Sequence, residues 1–525
     1  MRPAQTRPPA PSRNNCTLAR SGGPECKSLG FYSLDRIWAA GRSTKLAAAR
    51  GELAPRELED DACYEAGPSP TTCCFGRCSD HGSCVRGVCV CAPPHHGIDC
   101  AESNAGQSAA TGMPSRRGGG GSSSEGFVYV HNPPGNLGVR QMRRFQTHGG
   151  YNADYYLLAR MLEDRRVRTT DATAAQLFYM PTFASDQHGN AAYHKNVQVQ
   201  GALVRWLDSV GLRQHWLEHP DQYVFQFTGD KGSCLLPRSP IYVAHWGLTV
   251  PWSHMDAPHT WMSPPAGEAR PEQLPCATAH DVIVPPWMAW TRYPNVSAQP
   301  RRHAAAAATA GSADRGVGGT WRCQLFWAGS IAHTYALHYS GGMRQLVWEH
   351  HRNRTGFCID RRLPSEYYEQ ARFCLAPSGD GWGDRLQKSI RAGCIPVIVQ
   401  PGVLMPFEDV LPYHRFSLRF GANEVPTMHE RLAAIGEAEH ARMRRTLLRY
   451  AAAFNWHEIH GQAYELTVFS LCLRAAQLSI KNATAPTPQP LEAARSRCEH
   501  LRPAMLAPEH AAARTAGRAT IRMKP

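Results

Sequence analysis

No stretch of the 525-residue chain approaches the roughly 18 consecutive apolar residues that a membrane helix needs; the longest apolar runs are short, such as Ile395–Val399. Met1–Arg20 (MRPAQTRPPAPSRNNCTLAR) lacks the apolar core of a signal peptide. Also missing are an Asp-x-Asp triplet, a GxGxxG fingerprint and a P-loop, and His457–His460 reads HEIH, which is not the HExxH of a zinc protease. The 25 histidines show no ligand spacing, so no metal is expected. Charged residues make up only 19%, and the net charge of +14 gathers at the ends, with +4 in residues 1–60 and +5 in residues 481–525. Basic flanks with few aromatics read as solvated tails, and no Lys/Arg stripe interleaved with aromatics supports nucleic-acid binding. Against these absences stand 42% apolar residues, which exclude wholesale disorder, and a length that predicts about three to four domains.

Cysteine is plentiful, with 18 in all and ten in the first 100 residues. Six follow the spacing Cys74-x3-Cys78-x5-Cys84-x4-Cys89-x-Cys91-x8-Cys100, with Gly82, Gly87 and Gly97 at turns and Cys73 as an alternative first member. Spacing alone leaves 15 connectivities open, and a zinc site is disfavoured because no Cys-x2-Cys pair is present. The spacing resembles an epidermal-growth-factor-like module, and that resemblance implies the pairs Cys74–Cys84, Cys78–Cys89 and Cys91–Cys100. Such a module has almost no core and depends on its disulfides. Four N-x-[ST] sequons, at Asn15, Asn295, Asn353 and Asn482, agree with the secretory pathway. The absence of a signal segment then points to a true amino terminus that lies upstream.

The chain divides into a basic, low-order region 1–62, the cysteine module 63–100 and a Gly/Ser-rich flexible linker 101–126. A first block (127–297) has short strands at Phe127–His131, Leu177–Met180, Tyr223–Phe227, Ile241–Ala244 and Asp281–Val284, an amphipathic helix over Ala153–Asp164, and a short helix capped at Thr170-Asp171. Residues 298–320 are an Ala-rich insertion. A second block (321–480) reads as strand Gln324–Ala328, helix Ser365–Arg372, strand Phe373–Ala376, a Gly-rich turn, helix Asp384–Ala392 and strand Ile395–Val399, with helices filling 425–476. Residues 481–525, rich in Pro, Ala and Arg, read as a disordered tail. Strands alternating with helices in two blocks predict an α/β protein with two parallel sheets.

The most informative stretch is Phe373–Val399, FCLAPSGDGWGDRLQKSIRAGCIPVIV. A buried strand ends at Pro377, three glycines make a turn, and a helix opens at Asp384-Arg385. Helix-start amides bared by glycine beside an Arg form an anion site suited to a diphosphate, and open α/β sheets bind ligands at the carboxyl ends of their strands. The plain alternative is a tight turn only. Cys374 and Cys394, flanking the turn, either pair or pack.

This stretch resembles the exostosin family of glycosyltransferases (glycosyltransferase family 47), whose members show Cys-x-x-Pro, a Gly-rich turn, an Arg opening a helix, and Gly-Cys-Ile-Pro-Val-Ile. Similar too are Phe127–Asn132, Arg168–Asp171 through Phe178–Pro181, Phe225–Phe227 to Gly232, His245-Trp246-Gly247, His280–Pro286 and Leu325–Ser330, so that the likeness runs from 127 to 470. The resemblance implies a GT-B architecture, two Rossmann-like domains facing a cleft, with acceptor bound by the first and nucleotide sugar by the second. It implies an inverting transfer from a nucleotide sugar, usually UDP-linked, to a polysaccharide or glycoprotein glycan, without a metal or other cofactor. Gly379, Asp380, Gly381, Gly383 and Asp384 would then cradle the donor, and Arg385 would stabilise the leaving group. Lys388 departs from the pattern, since the family usually carries Glu there to bind the ribose hydroxyls; Asp380 or Asp384 would have to substitute. That departure motivates the alternative of an inactive scaffold or glycan-binding protein. The base is sought in first-block loops, with Asp230 the first candidate and Asp186, His188 and His245 behind it. Trp252 and Trp261 either stack on sugar rings or anchor their loop. Family members are usually type II Golgi membrane proteins, which implies an anchor upstream of this chain, and the cysteine module would bind a protein partner or acceptor.

Overall fold

The computed structural model describes residues 75–85, 88–103, 126–133, 151, 153–182, 195–234, 236–250, 275–288, 290, 321–331, 339–379, 381–457, 459–481 and 490–507. The chain is α/β, with two parallel sheets. The first contains β1 (Val128–Val130), β2 (Arg168–Thr169), β3 (Leu177–Met180), β4 (Tyr223–Phe227), β5 (Ile241–Ala244) and β6 (Val282–Ile283), in the spatial order 2-1-3-4-5-6. The second contains β7 (Cys323–Ala328), β8 (Phe357–Asp360), β9 (Ala371–Ala376), β10 (Ile395–Ile398) and β11 (Leu418–Arg419), in the order 8-7-9-10-11. Both are doubly wound orders that reverse direction at their first strand. In the second sheet that switch point lies between the ends of β7 and β9.

The strands read as continuous apolar runs because both faces of each sheet are covered. In β3, Leu177 and Tyr179 join one apolar cluster while Phe178 and Met180 join another; in β7, Leu325 and Trp327 join one cluster and Phe326, between them, another. Helix α1 (Ala153–Glu163) buries Tyr156, Leu157, Leu158, Met161 and Leu162. The predicted helix at Thr170-Asp171 does not form. Asp171 instead accepts the Thr173 amide at 2.8 Å, closing an Asx turn that leads straight into β3. The predicted helix Ser365–Arg372 shrinks to Tyr367–Gln370, because Ala371 is claimed by the β9 ladder opposite Cys323.

Two further expectations are corrected. Residues 490–507 are not a disordered tail: Pro490–Arg497 is a helix, and Cys498 is bonded to Cys472 in the long helix Ala463–Lys481. The cysteine module is not held off on a stalk either. Cys78–Cys89 and Cys91–Cys100 are bonded, the strands Gly82–Val85 and Val88–Cys91 pair with each other, and the segment from Ile98 to Glu102 leans on the first sheet. There Arg168 of β2 grips Asp99 through Nη1 and Nη2, at 2.5 and 2.8 Å, and Tyr129 of β1 donates to Glu102 at 2.8 Å. Arg168, Asp99 and Glu102 are all buried, so the module is part of the packed body. Cys74, and with it the expected Cys74–Cys84 pair, the linker 104–125 and the insertion 298–320 lie outside the described residues. Among the described residues no helix is long and apolar enough to cross a membrane.

Candidate functional site

Strand β9 is buried along its whole length and ends at Pro377, which has no amide for the ladder. After the turn, helix α2 (Arg385–Ala392) runs back against β9 and β10, burying Leu386 and Ile390, and stops at Gly393 in the left-handed region. Cys374 and Cys394 are bonded, clamping the start of β10 to β9 at the end of the strands away from the turn. Gly381 is required twice over. Its φ is +140°, and a β-carbon there would lie 2.0 Å from the backbone oxygen of Asp230. The Trp382 amide donates to that same oxygen at 3.2 Å. The turn thus touches the other half of the molecule directly. The Gly379 amide, expected in the anion cradle, donates instead to the Gly381 carbonyl at 3.2 Å. What remains for an anion is the first turn of α2, whose amides have no intrahelical acceptors.

Arg385 donates through Nε to the Ala328 carbonyl at the end of β7 (3.1 Å), so it sits at the switch point. Its Nη1 also meets the Asp384 carboxylate, whose other oxygen holds Lys388 Nζ. Burial alone would push the Asp384 carboxyl up, but Arg385 and Lys388 outweigh it and hold it below the usual carboxylate range. Lys388 therefore ends on Asp384. Arg344, missed in the sequence, completes the floor: it is buried and donates to the carbonyls of Ser378 (2.8 Å) and Ser330 (3.2 Å). No local pattern marks it, since it is an ordinary arginine in a helix's first turn (Met343–His351) until β7 and β9 come together.

The facing wall comes from the first sheet. Asp230 follows β4, and its carboxylate accepts the Tyr151 hydroxyl at 2.9 Å. His245 follows β5, with Nδ1 3.0 Å from the Val284 carbonyl. A carbonyl only accepts, so Nδ1 carries the proton and Nε2 is the ring nitrogen with a lone pair. The Trp382 indole stands edge-on to both Tyr151 and His245, each at 5.3 Å between ring centres. A narrow cleft of about 20 Å³ opens between the walls, lined by His245, Trp246, Trp382, Gln387, Gln400 and Met405 among others. Gly247–Leu248 pairs with Val403–Leu404 beside it, which fixes the spacing of the walls. Asp186, His188, Trp252, Trp261 and Asp380 lie outside the described residues, as do Asn15, Asn295 and Asn482; Asn353 is exposed. Among the described residues the one Cys/His/carboxylate group close enough to hold an ion is Cys78, Cys89 and Cys100, whose sulfurs are in disulfides.

Comparison with known proteins falls on this same region. Residues 324–435 match the Exostosin GT47 domain. A probable glucuronosyltransferase of Oryza sativa subsp. japonica is 33% identical over 135 residues, covering 24% of this chain and 32% of that protein. The probable beta-1,4-xylosyltransferase IRX10 of Arabidopsis thaliana is 35% identical over 102 residues, 19% of this chain and 25% of that protein. The probable glucuronosyltransferase 47 A of Physcomitrium patens is 33% identical over 106 residues, 19% and 24%. The chain thus spans between 24% and 32% of the length of these curated relatives. The segment holding β7 to β11, the Gly turn and Arg385 is similar to the exostosin GT47 glycosyltransferase domain.

Proposed function

We propose that the protein is a GT-B-type, inverting glycosyltransferase that moves a sugar from a nucleotide sugar, UDP-linked, to a polysaccharide or glycoprotein glycan. The observation that carries this reading is the switch point of the second sheet, where a helix start and Arg385 face the strand-end loops of the first sheet across a cleft. The nucleotide diphosphate sits on the first turn of α2, and Arg385 takes up the charge that grows on the leaving phosphate as the anomeric C–O bond breaks. The acceptor hydroxyl attacks the anomeric carbon from the opposite side, and its proton passes to a base on the facing wall. We place that base at His245, whose Nε2 has the lone pair and whose ring lines the cleft. Asp230 is then a positioning residue, its carboxylate holding Tyr151 and its carbonyl holding the Gly turn.

Six disulfides among the described residues and the exposed Asn353 sequon support an oxidising, secretory compartment, the Golgi in our reading. The test is a thermal-shift series of UDP and UDP-sugars on the whole chain beside Arg385→Ala. A ligand at 100 times its Kd stabilises by about 2.7 kcal/mol, so wild type shifts upward and the variant loses most of that shift. A folded wild type that responds to no nucleotide would instead be a glycan-binding scaffold.

A further inference from the structure

The Asn353-Arg354-Thr355 sequon occupies a place in the fold that sugar transfer does not use. It lies in the turn joining the helix Met343–His351 to β8, and all three residues are exposed. The backbone there is held in place. His351 is buried and its Nε2 donates to the Val425 carbonyl at 2.6 Å, the Arg354 amide donates to the His351 carbonyl at 3.1 Å and the Phe357 amide to the Arg354 carbonyl at 3.0 Å, and Gly356 closes the turn with φ +81°. An Asn amide and a Thr hydroxyl two positions on, both at the surface, meet the requirement for a bulky N-linked oligosaccharide, which no buried site could accommodate. Beyond the turn lies the open side of the second sheet. β8 is its outermost strand; among the described residues it pairs with β7 alone and is bonded to it through Cys323–Cys358. An outermost strand presents unpaired amides and carbonyls that can template pairing with another chain. Its flank is partly apolar as well: Phe357 is half-buried, and so is Trp348 of the preceding helix, whose ring lies 6.0 Å from the Arg361 guanidinium just past β8.

We propose that Asn353 carries an N-linked oligosaccharide, and that this glycan screens the open edge of the second sheet against pairing with a second copy of the chain. The bond that forms joins the Asn353 side-chain nitrogen to the anomeric carbon of an oligosaccharide supplied by a lipid-diphosphate donor. The bond that breaks is the one from that carbon to the diphosphate, which leaves with the electron pair while the amide gives up a proton; nothing is oxidised or reduced. Asn353 precedes β8 by only a few residues, and β8 is just four residues long, so a hydrated glycan rooted there covers the approach to the strand. The same position keeps the glycan off the candidate site. The Gly356 carbonyl accepts the Gln324 amide at 2.7 Å near the amino end of β7, whereas Arg385 reaches the carboxyl end of β7 at Ala328. The inference rests on the secretory compartment argued above and goes beyond it.

The experiment secretes the whole chain from eukaryotic cells behind a cleavable leader, as wild type, Asn353→Gln, Thr355→Ala and Thr355→Ser. Asn353→Gln and Thr355→Ala should each run faster on a gel by one glycan, an increment that wild type and Thr355→Ser keep until a peptide-N-glycosidase removes it. Because the two losses come from different side chains, a shared effect belongs to the glycan. In light scattering at rising concentration, both unglycosylated variants should self-associate at a severalfold lower concentration than wild type and Thr355→Ser. Should neither variant be secreted, the chain carrying Asn15→Gln, Asn295→Gln and Asn482→Gln, deglycosylated after folding, makes the same comparison. A disulfide-bonded wild type with Asn353 unmodified, or deglycosylated protein that associates no more readily, overturns this proposal and leaves the compartment standing. A wild type retained in the cell with free thiols in place of its disulfides overturns the compartment and this proposal with it.

Discussion

Asp281, at the threshold of β6, is a carboxyl whose charge works against the fold. It accepts the amides of Tyr242 and Thr278, both at 2.8 Å, and Arg238 stands 3.7 Å away. Burial nevertheless dominates and pushes its pKa up to about 6, from an ordinary value of 3.8. Between those two values the native state holds a proton that the unfolded chain has released, so the native advantage from this group is greatest below 3.8 and falls as pH rises through 6. Asp281→Asn removes the titration. The stability deficit of the variant relative to wild type should therefore shrink by roughly 1–3 kcal/mol between pH 4 and pH 7.5. Denaturant midpoints for both proteins at the two pH values measure it, and a deficit that holds constant or grows would show that Asp281 is not strained by its charge. The Asp-Val-Ile-Val-Pro-Pro motif was visible in the sequence, but this burden was not, because it depends on Arg238 and Tyr242, some forty residues earlier. Gly381 teaches the same lesson: its place in a turn is legible, while the Asp230 oxygen that forbids a β-carbon is 151 positions away.

At the scale of elements, β3, β4 and β5 begin and end where their apolar runs do, since each is buried on both faces and bounded by Pro, Gly or polar residues. Elements failed to follow the pattern where a neighbour in space claimed their backbone, as the β9 ladder did with Ala371. The docking of the cysteine module was likewise hidden, because Arg168 reads only as the start of the Arg168–Asp171 motif, Asp99 as part of the cysteine module and Glu102 as linker. Burial raises the Glu102 carboxyl, although the Tyr129 hydroxyl and Arg168 pull it down. Arg168→Met would strand two buried carboxyls and should cost about 3–5 kcal/mol, the usual consequence of breaking a buried pair from one side. Limited proteolysis should then cut near residues 95–103 well before the rest of the chain, and thermal unfolding should begin earlier. Unchanged protection of that segment in the variant would mean that the disulfides and Ile98 hold the module without the ion pair.

Across the whole molecule, the helix Ala463–Lys481 is the strap that makes two sheets one body. Although it follows the second sheet in sequence, its start is tied to α1 by Arg160–Glu465 at 2.6 Å and Tyr464–Asp164 at 3.2 Å. Further along, Arg474 donates to the carbonyls of His280 and Asp281 and to Asp409 of the other half. One apolar cluster accordingly runs from Val128 and Leu157 through Leu386 and Ile398 to Leu471 and Cys498. Cooperative unfolding of both halves follows from that shared core. The Cys472–Cys498 bond closes a loop of 26 residues from the middle of the strap, and neither cysteine lines the cleft. Opening it by Cys472→Ser with Cys498→Ser should release chain entropy in the unfolded state and lower stability by about 3 kcal/mol. UDP binding by the folded fraction should not change, because the first turn of α2 and Arg385 are fixed by β7, β9 and the Gly turn. Denaturation curves with and without saturating UDP separate the two effects: the same ligand-induced gain on a lowered baseline is the expected result. A variant that keeps its full stability would make the bond incidental. One that loses the UDP gain would show that the C-terminal helix pair, not the switch point alone, sets the geometry of the proposed nucleotide site.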